Sequence, residues 1–208
     1  MPEQDPCNIC LTAQAKSIAT NFHGVRQICP RCGEFELSGT AGSLLTQGVG
    51  PAVRAKISGW VRDQNRDDTV PKITSDVLQR VSARPLPTVA ERAERLLLEA
   101  LRGQERLGAE FNIYYPMFVA ATYSQDSDEV RFLLRLMEDR GQMEALTMKG
   151  GCIVLPSGYI AAGELTRRSA PLGKGFVAMW FNKDLEPAYE DGFQVGILNA
   201  GYDPVRVD

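Results

Sequence analysis

The sequence predicts an α+β protein of 208 residues, and three observations carry that prediction. The first 40 residues contain two Cys-x-x-Cys pairs within short alternating stretches that are typical of a β-hairpin. Between residues 41 and 170, apolar side chains recur mainly at the three- and four-residue spacing of helices. From residue 173 the pattern changes to strand, helix and strand, which is one βαβ unit.

Four of the five cysteines form two pairs with 18 residues between them. The pairs are Cys7-x-x-Cys10 and Cys29-x-x-Cys32. This spacing is typical of zinc sites, because each turn places two thiolates along one edge of a tetrahedron and a hairpin brings two turns together. Gly33, directly after the second pair, tolerates the positive φ that such a turn requires. We therefore predict that Cys7, Cys10, Cys29 and Cys32 bind one structural Zn²⁺ and leave no open position for catalysis.

Two disulfides and a thiol-redox pair are the alternatives for these cysteines. The N-terminus is polar and acidic with no apolar leader, so we expect a cytoplasmic protein, and disulfides rarely persist in that compartment. A redox Cys-x-x-Cys would begin a helix in a βαβ unit, and neither pair has that setting. Alternation at 25–28 and 34–37 instead predicts the two strands of a zinc ribbon. We expect His23 to be a surface or hairpin residue rather than a metal ligand, and Arg26 and Arg31 to offset part of the charge of the Zn(Cys)₄ centre.

The next segment, residues 41–87, is predicted to be a helical connector. Helical spacing of apolar side chains indicates one helix over 52–66 and another from Thr74 or Ser75 to the linker Pro85-Leu86-Pro87. The segment carries seven Lys and Arg against four Asp. This basic excess is modest, and we interpret it as a solvated helix face.

Residues 88–170 follow the order helix, strand, helix, helix, hairpin, which is typical of a winged helix. A capping box, Thr88-x-x-Glu91, begins the first helix, and Ser127 is the predicted cap of the last helix before the hairpin. Cys152 lies in the predicted hairpin beside apolar residues, and we expect it to be buried as a small hydrophobic side chain.

A winged helix usually indicates DNA binding through the helix predicted here at 127–140. Between Asp126 and Arg140, however, there are five acidic and three basic residues. Because affinity for DNA depends on neutralising phosphates, this charge disfavours nucleic acid. The net charge of the chain, -3, points in the same direction. We therefore favour a protein-contact or spacer role and keep DNA binding as the alternative.

The C-terminal segment predicts an apolar strand over 175–181, a helix over 185–200 and a second strand over 202–207. Two strands leave open edges, so we expect the remaining strands to come from sequence beyond Asp208 or from another chain.

This segment also resembles a known family. The stretches Phe176-Val-Ala-Met-Trp-Phe-Asn-Lys-Asp-Leu-Glu-Pro-Ala-Tyr189 and Ala200-Gly-Tyr-Asp-Pro-Val-Arg-Val-Asp208 resemble the opening of the TIR-like, nucleoside 2-deoxyribosyltransferase-like domains of bacterial proteins. Some of those proteins carry a cysteine-rich and a helical region upstream, as Cys29-Pro-Arg-Cys-Gly33 and Pro87-Thr-Val-Ala-Glu-Arg-Ala-Glu-Arg-Leu-Leu-Leu98 do here. The resemblance implies a nucleotide pocket lined by Trp180, Phe181 and Asn182. The later strands, where such enzymes keep a catalytic carboxylate, are absent from these 208 residues, so we do not expect them to cleave a glycosidic bond alone.

These predictions divide the chain into a zinc ribbon (1–40), a helical connector (41–87), a winged-helix-like domain (88–170) and the first βαβ unit of a nucleotide-binding domain (173–208). With the resemblance, they imply a zinc-binding recognition or oligomerisation module of an intracellular bacterial nucleotide-processing or nucleotide-sensing protein. We expect a protein partner or self-association, and a nucleotide ligand only when the C-terminal domain is completed. No apolar run reaches the roughly 20 residues of a membrane helix. The alternative is a zinc-ribbon and winged-helix DNA-binding regulator.

Overall fold

A computed structural model describes residues 4–66, 69–169, 174–177, 185, 188–200 and 202–206. The chain divides into two compact units, residues 1–159 and 160–208. Both helices and small sheets are present, so the predicted α+β class is confirmed. Within the described residues, no helix combines the length and the apolar character needed to cross a membrane.

A five-stranded sheet occupies the start of the first unit. Its strands, in spatial order, are β1 (Gln4–Asp5), β2 (Ala15–Ile18), β3 (Gly24–Cys29), β4 (Gly33–Ser38) and β5 (Lys72–Ile73). The first four pair antiparallel, whereas β5 runs parallel to β4. Strands β3 and β4 are the predicted hairpin. One sheet face is buried because Gln27, Cys29, Phe35 and Leu37 alternate inward along these two strands.

Three helices share a core with the inner face of this sheet. They are α1 (Gly39–Thr46), α2 (Pro51–Arg66) and α3 (Ser75–Ala83). The cysteines Cys7, Cys29 and Cys32 belong to the same buried cluster as Ile57 and Val61 of α2. The paired cysteines therefore pack against helices that follow them in the sequence.

Three further helices and a small sheet follow in the first unit. The helices are α4 (Val89–Leu101), α5 (Pro116–Ala121) and α6 (Ser127–Asp139), and the strands are β6 (Phe111–Asn112), β7 (Met143–Ala145) and β8 (Gly151–Val154). Strand β8 lies between β6 and β7 and pairs antiparallel with both. The capping box predicted for α4 is confirmed, with both the Thr88 and the Glu91 hydrogen bonds formed.

The cap of α6 differs from the prediction. Asp126, and not Ser127, is the capping residue, because its carboxylate accepts hydrogen bonds at 3.0 Å from the backbone N–H groups of Asp128 and Glu129. Asp126 has the extended backbone of a cap, at φ -147°, while Ser127 is already helical. A carboxylate at this position also interacts favourably with the helix dipole.

Helix α7 (Pro156–Ser169) spans the point at which the two units divide. In the second unit, β9 (Lys174–Val177) and β10 (Asp203–Arg206) pair in parallel, in register from Lys174 opposite Asp203. A π-helical turn, Tyr189–Phe193, leads into α8 (Gln194–Asn199) between these strands.

Candidate metal centre

The four paired cysteines converge at one end of the β3–β4 hairpin. Their sulfur atoms all lie within 4.8 Å of one another. The distance from Cys7 Sγ to Cys32 Sγ is 3.9 Å, and from Cys10 Sγ to Cys29 Sγ it is 3.6 Å. Four sulfurs at a Zn–S distance of about 2.3 Å stand about 3.8 Å apart along the edges of a tetrahedron. The cluster therefore has the spacing to hold a metal ion and is compatible with zinc.

Backbone turns aim the sulfurs at a common point. Leu11, directly after the first pair, has a positive φ of 62°, and its N–H donates to the carbonyl of Cys7 at 2.9 Å. Gly33 has the positive φ that was predicted, at 93°. A Cβ atom on Gly33 would lie 2.0 Å from Asn65 Oδ1, so the turn requires glycine for space as well as for conformation.

Arg54 of α2 holds the first cysteine turn. Its guanidinium donates to the carbonyls of Asn8 and Ile9, the two residues between the first cysteines, at 3.2 and 2.6 Å. It also donates to the carbonyls of Leu45 and Val49 at 2.8 and 3.1 Å. One side chain thus ties the first turn to the end of α1 and to the start of α2.

Two more side chains of α2 hold the second cysteine turn. Ser58 is fully buried, and its Oγ lies 3.2 Å from Cys32 Sγ. Asn65 accepts a hydrogen bond from the Glu34 N–H at 2.6 Å and returns one to the Glu34 carbonyl at 2.9 Å. A hydroxyl beside a ligating sulfur orients it and stabilises its negative charge, as outer-shell partners of metal ligands do. These positions were not identified from the sequence. The signal that could have found them is that the polar residues at 54, 58 and 65 lie on one face of the helix.

The two arginines near the cysteines both have partners elsewhere in the first unit. Arg26 pairs with Glu34 at 2.7 Å, and lies 4.0 Å from Glu36. Arg31, inside the second Cys-x-x-Cys, donates to the carbonyls of Ser124 and Gln125 at 2.9 and 3.1 Å. In these contacts Arg26 neutralises carboxylates across the hairpin, and Arg31 joins the cysteine turn to the segment before α6.

Interactions among the four thiols shift the pKa values of Cys10 and Cys32 in opposite directions. Burial raises the pKa of Cys32 well above its usual value, and hydrogen bonds with the other thiols add to that rise. Hydrogen bonds from the thiols of Cys29, Cys32 and Cys7 hold the pKa of Cys10 far below its usual value. A cationic ligand removes this competition because it binds all four groups as thiolates.

A charged cluster connects α2 to the rest of the first unit. The two carboxylate oxygens of Asp63 accept hydrogen bonds from Arg95, at 2.9 and 3.0 Å. One of these oxygens also accepts a hydrogen bond from the Tyr123 hydroxyl at 2.7 Å. Arg66 bridges Asp63 to Glu99, at 2.8 Å to each, and Glu99 is only 2% exposed. Burial and the neighbouring Asp63 raise the pKa of Tyr123 above its usual range. Helix α2 is therefore fixed to α4 by paired charges and to the segment after α5 by the hydrogen bond from Tyr123.

The remaining predicted site residues have separate outcomes. Cys152 is buried as predicted, with Sγ 3.5 Å from the Gly150 carbonyl. Trp180, Phe181 and Asn182 lie outside the described residues. Comparison with known proteins returned no match to a protein-family model, to a curated protein or to a solved structure.

Proposed function

We propose that residues 4–159 form a zinc-stabilised module that recognises another protein, within a TIR-like protein that processes or senses nucleotides. The observation that supports a zinc site is the convergence of four sulfur atoms within 4.8 Å of one another. Four protein ligands complete the tetrahedron of Zn²⁺, which gives the metal a structural and not a catalytic role.

The contacts around the sulfurs support a role in folding the whole unit. Arg54, Ser58 and Asn65 join the cysteine turns to α2, and Arg31 joins them to the residues before α6. Zinc binding supplies on the order of 10 kcal/mol to small domains of this kind. In our proposal this free energy stabilises the hairpin as a zinc ribbon and keeps it docked on α2.

A cysteine variant tests the zinc site. We expect about one Zn per chain by elemental analysis of the purified protein. Cys29→Ser should lower the metal content and the melting temperature, whereas Cys152→Ser should leave the metal content unchanged, since Cys152 lies outside the cluster. Equal metal content in both variants would contradict the ligand assignment.

The protein-recognition role is supported by the second half of the first unit. The order α4, β6, α5, α6, β7, β8 and the sheet order β6-β8-β7 support the proposed winged helix. Its reading helix is α6, whose first turn carries Asp128 and Glu129. Acidic residues at the end that would face DNA favour a protein partner.

The same order of helices and strands also favours the second candidate, a DNA-binding regulator. A fluorescence anisotropy titration with a labelled duplex at low salt separates the two candidates. We expect no binding to the duplex tighter than millimolar. Tight binding that weakens steeply with added salt would reject the protein-recognition function in favour of the DNA-binding regulator.

The parallel pair β9–β10, with α8 between its strands, supports the proposed βαβ start of a nucleotide-binding domain. In this proposal Trp180, Phe181 and Asn182 line the nucleotide pocket. We expect no nucleotide binding in calorimetric titrations of residues 1–208 alone. When further strands complete the sheet, Asn182→Ala should weaken nucleotide binding, and unchanged binding would remove this residue from the pocket.

A further inference from the structure

A cavity of about 250 Å³ lies between α6 and the β7–β8 hairpin. Its floor is apolar, because the lining side chains of Ile113, Leu134 and Cys152 are almost completely buried. Small-molecule sites usually measure about 300–1,000 Å³. The cavity is therefore better matched to one or two side chains of a peptide than to a whole cofactor.

Two side chains of different stiffness, one aromatic and one unbranched, line the cavity beside the hairpin turn. The Tyr114 ring lies 2.4 Å from the position that a Cβ on Gly150 would occupy, so ring and turn are packed in direct contact. Met148, which also lines the cavity, is 98% exposed. A rigid aromatic side chain and a flexible thioether together suit a surface that closes over an incoming apolar side chain.

The charges at the cavity are unequally satisfied. Arg131 is paired with Asp128 at 2.8 Å, and the Glu138 carboxylate accepts a hydrogen bond from the Ala145 N–H at 3.0 Å. Arg135, one helical turn after Arg131, has no ion pair or hydrogen bond within the described part of the chain. Among the described residues that line the cavity, Arg135 is therefore the cation without a protein partner, and Glu138 keeps its negative charge three residues further along α6.

We propose that this groove, defined by α6 and the β7–β8 hairpin, binds a segment of a partner protein that carries a large apolar side chain next to an acidic residue. The apolar side chain enters the cavity over Leu134 and Cys152, and the acidic residue pairs with Arg135. This inference rests on the proposed protein-recognition function and specifies its partner chemistry. Apolar anchors in a small pocket with a charged neighbour are typical of peptide recognition.

A peptide array tests this chemistry on the full 208-residue chain. Its members carry Leu, Ile, Met, Phe or Trp followed within two positions by Asp or Glu, and matched members carry Lys or Ala in place of the acid. We expect the wild-type protein to bind acidic members at least about tenfold more tightly than the matched Lys members. An array without preference for acidic members overturns the proposal.

Two variants connect the binding to the groove. Arg135→Glu should reverse the charge preference, and Ala145→Phe should abolish binding because it fills the cavity that Ala145 lines. Arg80→Glu is the matched control, since Arg80 is also an exposed helical arginine without a partner in the described ranges. Unchanged metal content and melting temperature in each variant show that it is folded. Equal effects of Arg135→Glu and Arg80→Glu in folded protein would overturn the assignment of the groove.

The same experiment separates failure of this inference from failure of the proposed function. Loss of array selectivity in a protein that holds one zinc and does not bind DNA rejects the groove chemistry alone. Salt-dependent duplex binding that Arg135→Glu weakens and Arg80→Glu does not would instead assign the groove to nucleic acid and reject protein recognition as well.

Discussion

Replacement of Arg54 tests how strongly α2 supports the cysteine cluster. The guanidinium donates four hydrogen bonds to backbone carbonyls, at 2.6 to 3.2 Å, and two of those carbonyls lie between Cys7 and Cys10. Arg54→Met keeps the aliphatic part of the side chain and removes every donor. At about 1 kcal/mol for each hydrogen bond, the free energy of unfolding should fall by about 4 kcal/mol.

This loss should appear in two measurements. A chain of this length loses roughly 2–4 °C of melting temperature per kcal/mol, so differential scanning fluorimetry should show a fall of about 10 °C. The two hydrogen bonds to the first cysteine turn, about 2 kcal/mol together, should also weaken zinc binding about 30-fold in a chelator competition. Arg54→Lys should give an intermediate result, because lysine keeps the charge but not the planar set of donors.

Arg80→Met is the control for the loss of an exposed helical arginine. Its melting temperature and zinc affinity should stay within experimental error of the wild type, since surface substitutions of this kind change stability by less than about 0.5 kcal/mol. If Arg54→Met behaves like Arg80→Met in both measurements, the support of the cysteine turn by α2 is refuted.

Two further predictions concern packing and acidity. Gly59→Ala should destabilise the protein by about 1–3 kcal/mol in denaturant unfolding, because the new Cβ would lie 2.7 Å from the Tyr123 ring; Gly163→Ala, which meets nothing within 4 Å in α7, should instead be neutral or slightly stabilising. Burial raises the pKa of Cys152 to about 11 from its usual value of 9.0, so its thiol should react slowly with a disulfide reagent at pH 8 in the native protein and rapidly after unfolding. As the pH rises, the unfolded state loses the Cys152 proton before the native state does. The contribution of Cys152 to the free energy of unfolding is therefore complete below pH 9 and is lost as the pH rises towards 11. If a Cys152→Ala variant loses stability at alkaline pH to the same extent, Cys152 is not the cause of the loss.

Local patterns were sufficient to predict many of the elements. The helix predicted over 52–66 is found at Pro51–Arg66, because its apolar residues recur at helical spacing and face the core. The cysteine spacing and Gly33 similarly predicted the cluster and its positive φ. In these cases the signal and the structure lie within the same short segment of chain.

The sequence was less informative where distant segments meet. Strand β5 has only two residues and pairs with β4, which is more than 30 positions earlier, so no local alternation predicts it. The contact of Arg31 with Ser124 joins residues 93 positions apart. This contact could not be predicted from the sequence, since only the folded chain brings the carbonyls before α6 within reach of Arg31.

Arg31 has a consequence for communication within the first unit. It lies between two cysteines of the cluster and donates to the carbonyls of Ser124 and Gln125, directly before the cap of α6 at Asp126. A free-energy coupling between two sites acts equally in both directions. Suppose that metal binding to the cluster orders this turn. A ligand that binds at α6 and orders the same turn must then raise the affinity of the cluster for the metal. Removal of the metal by a chelator must lower the affinity for that ligand by the same factor.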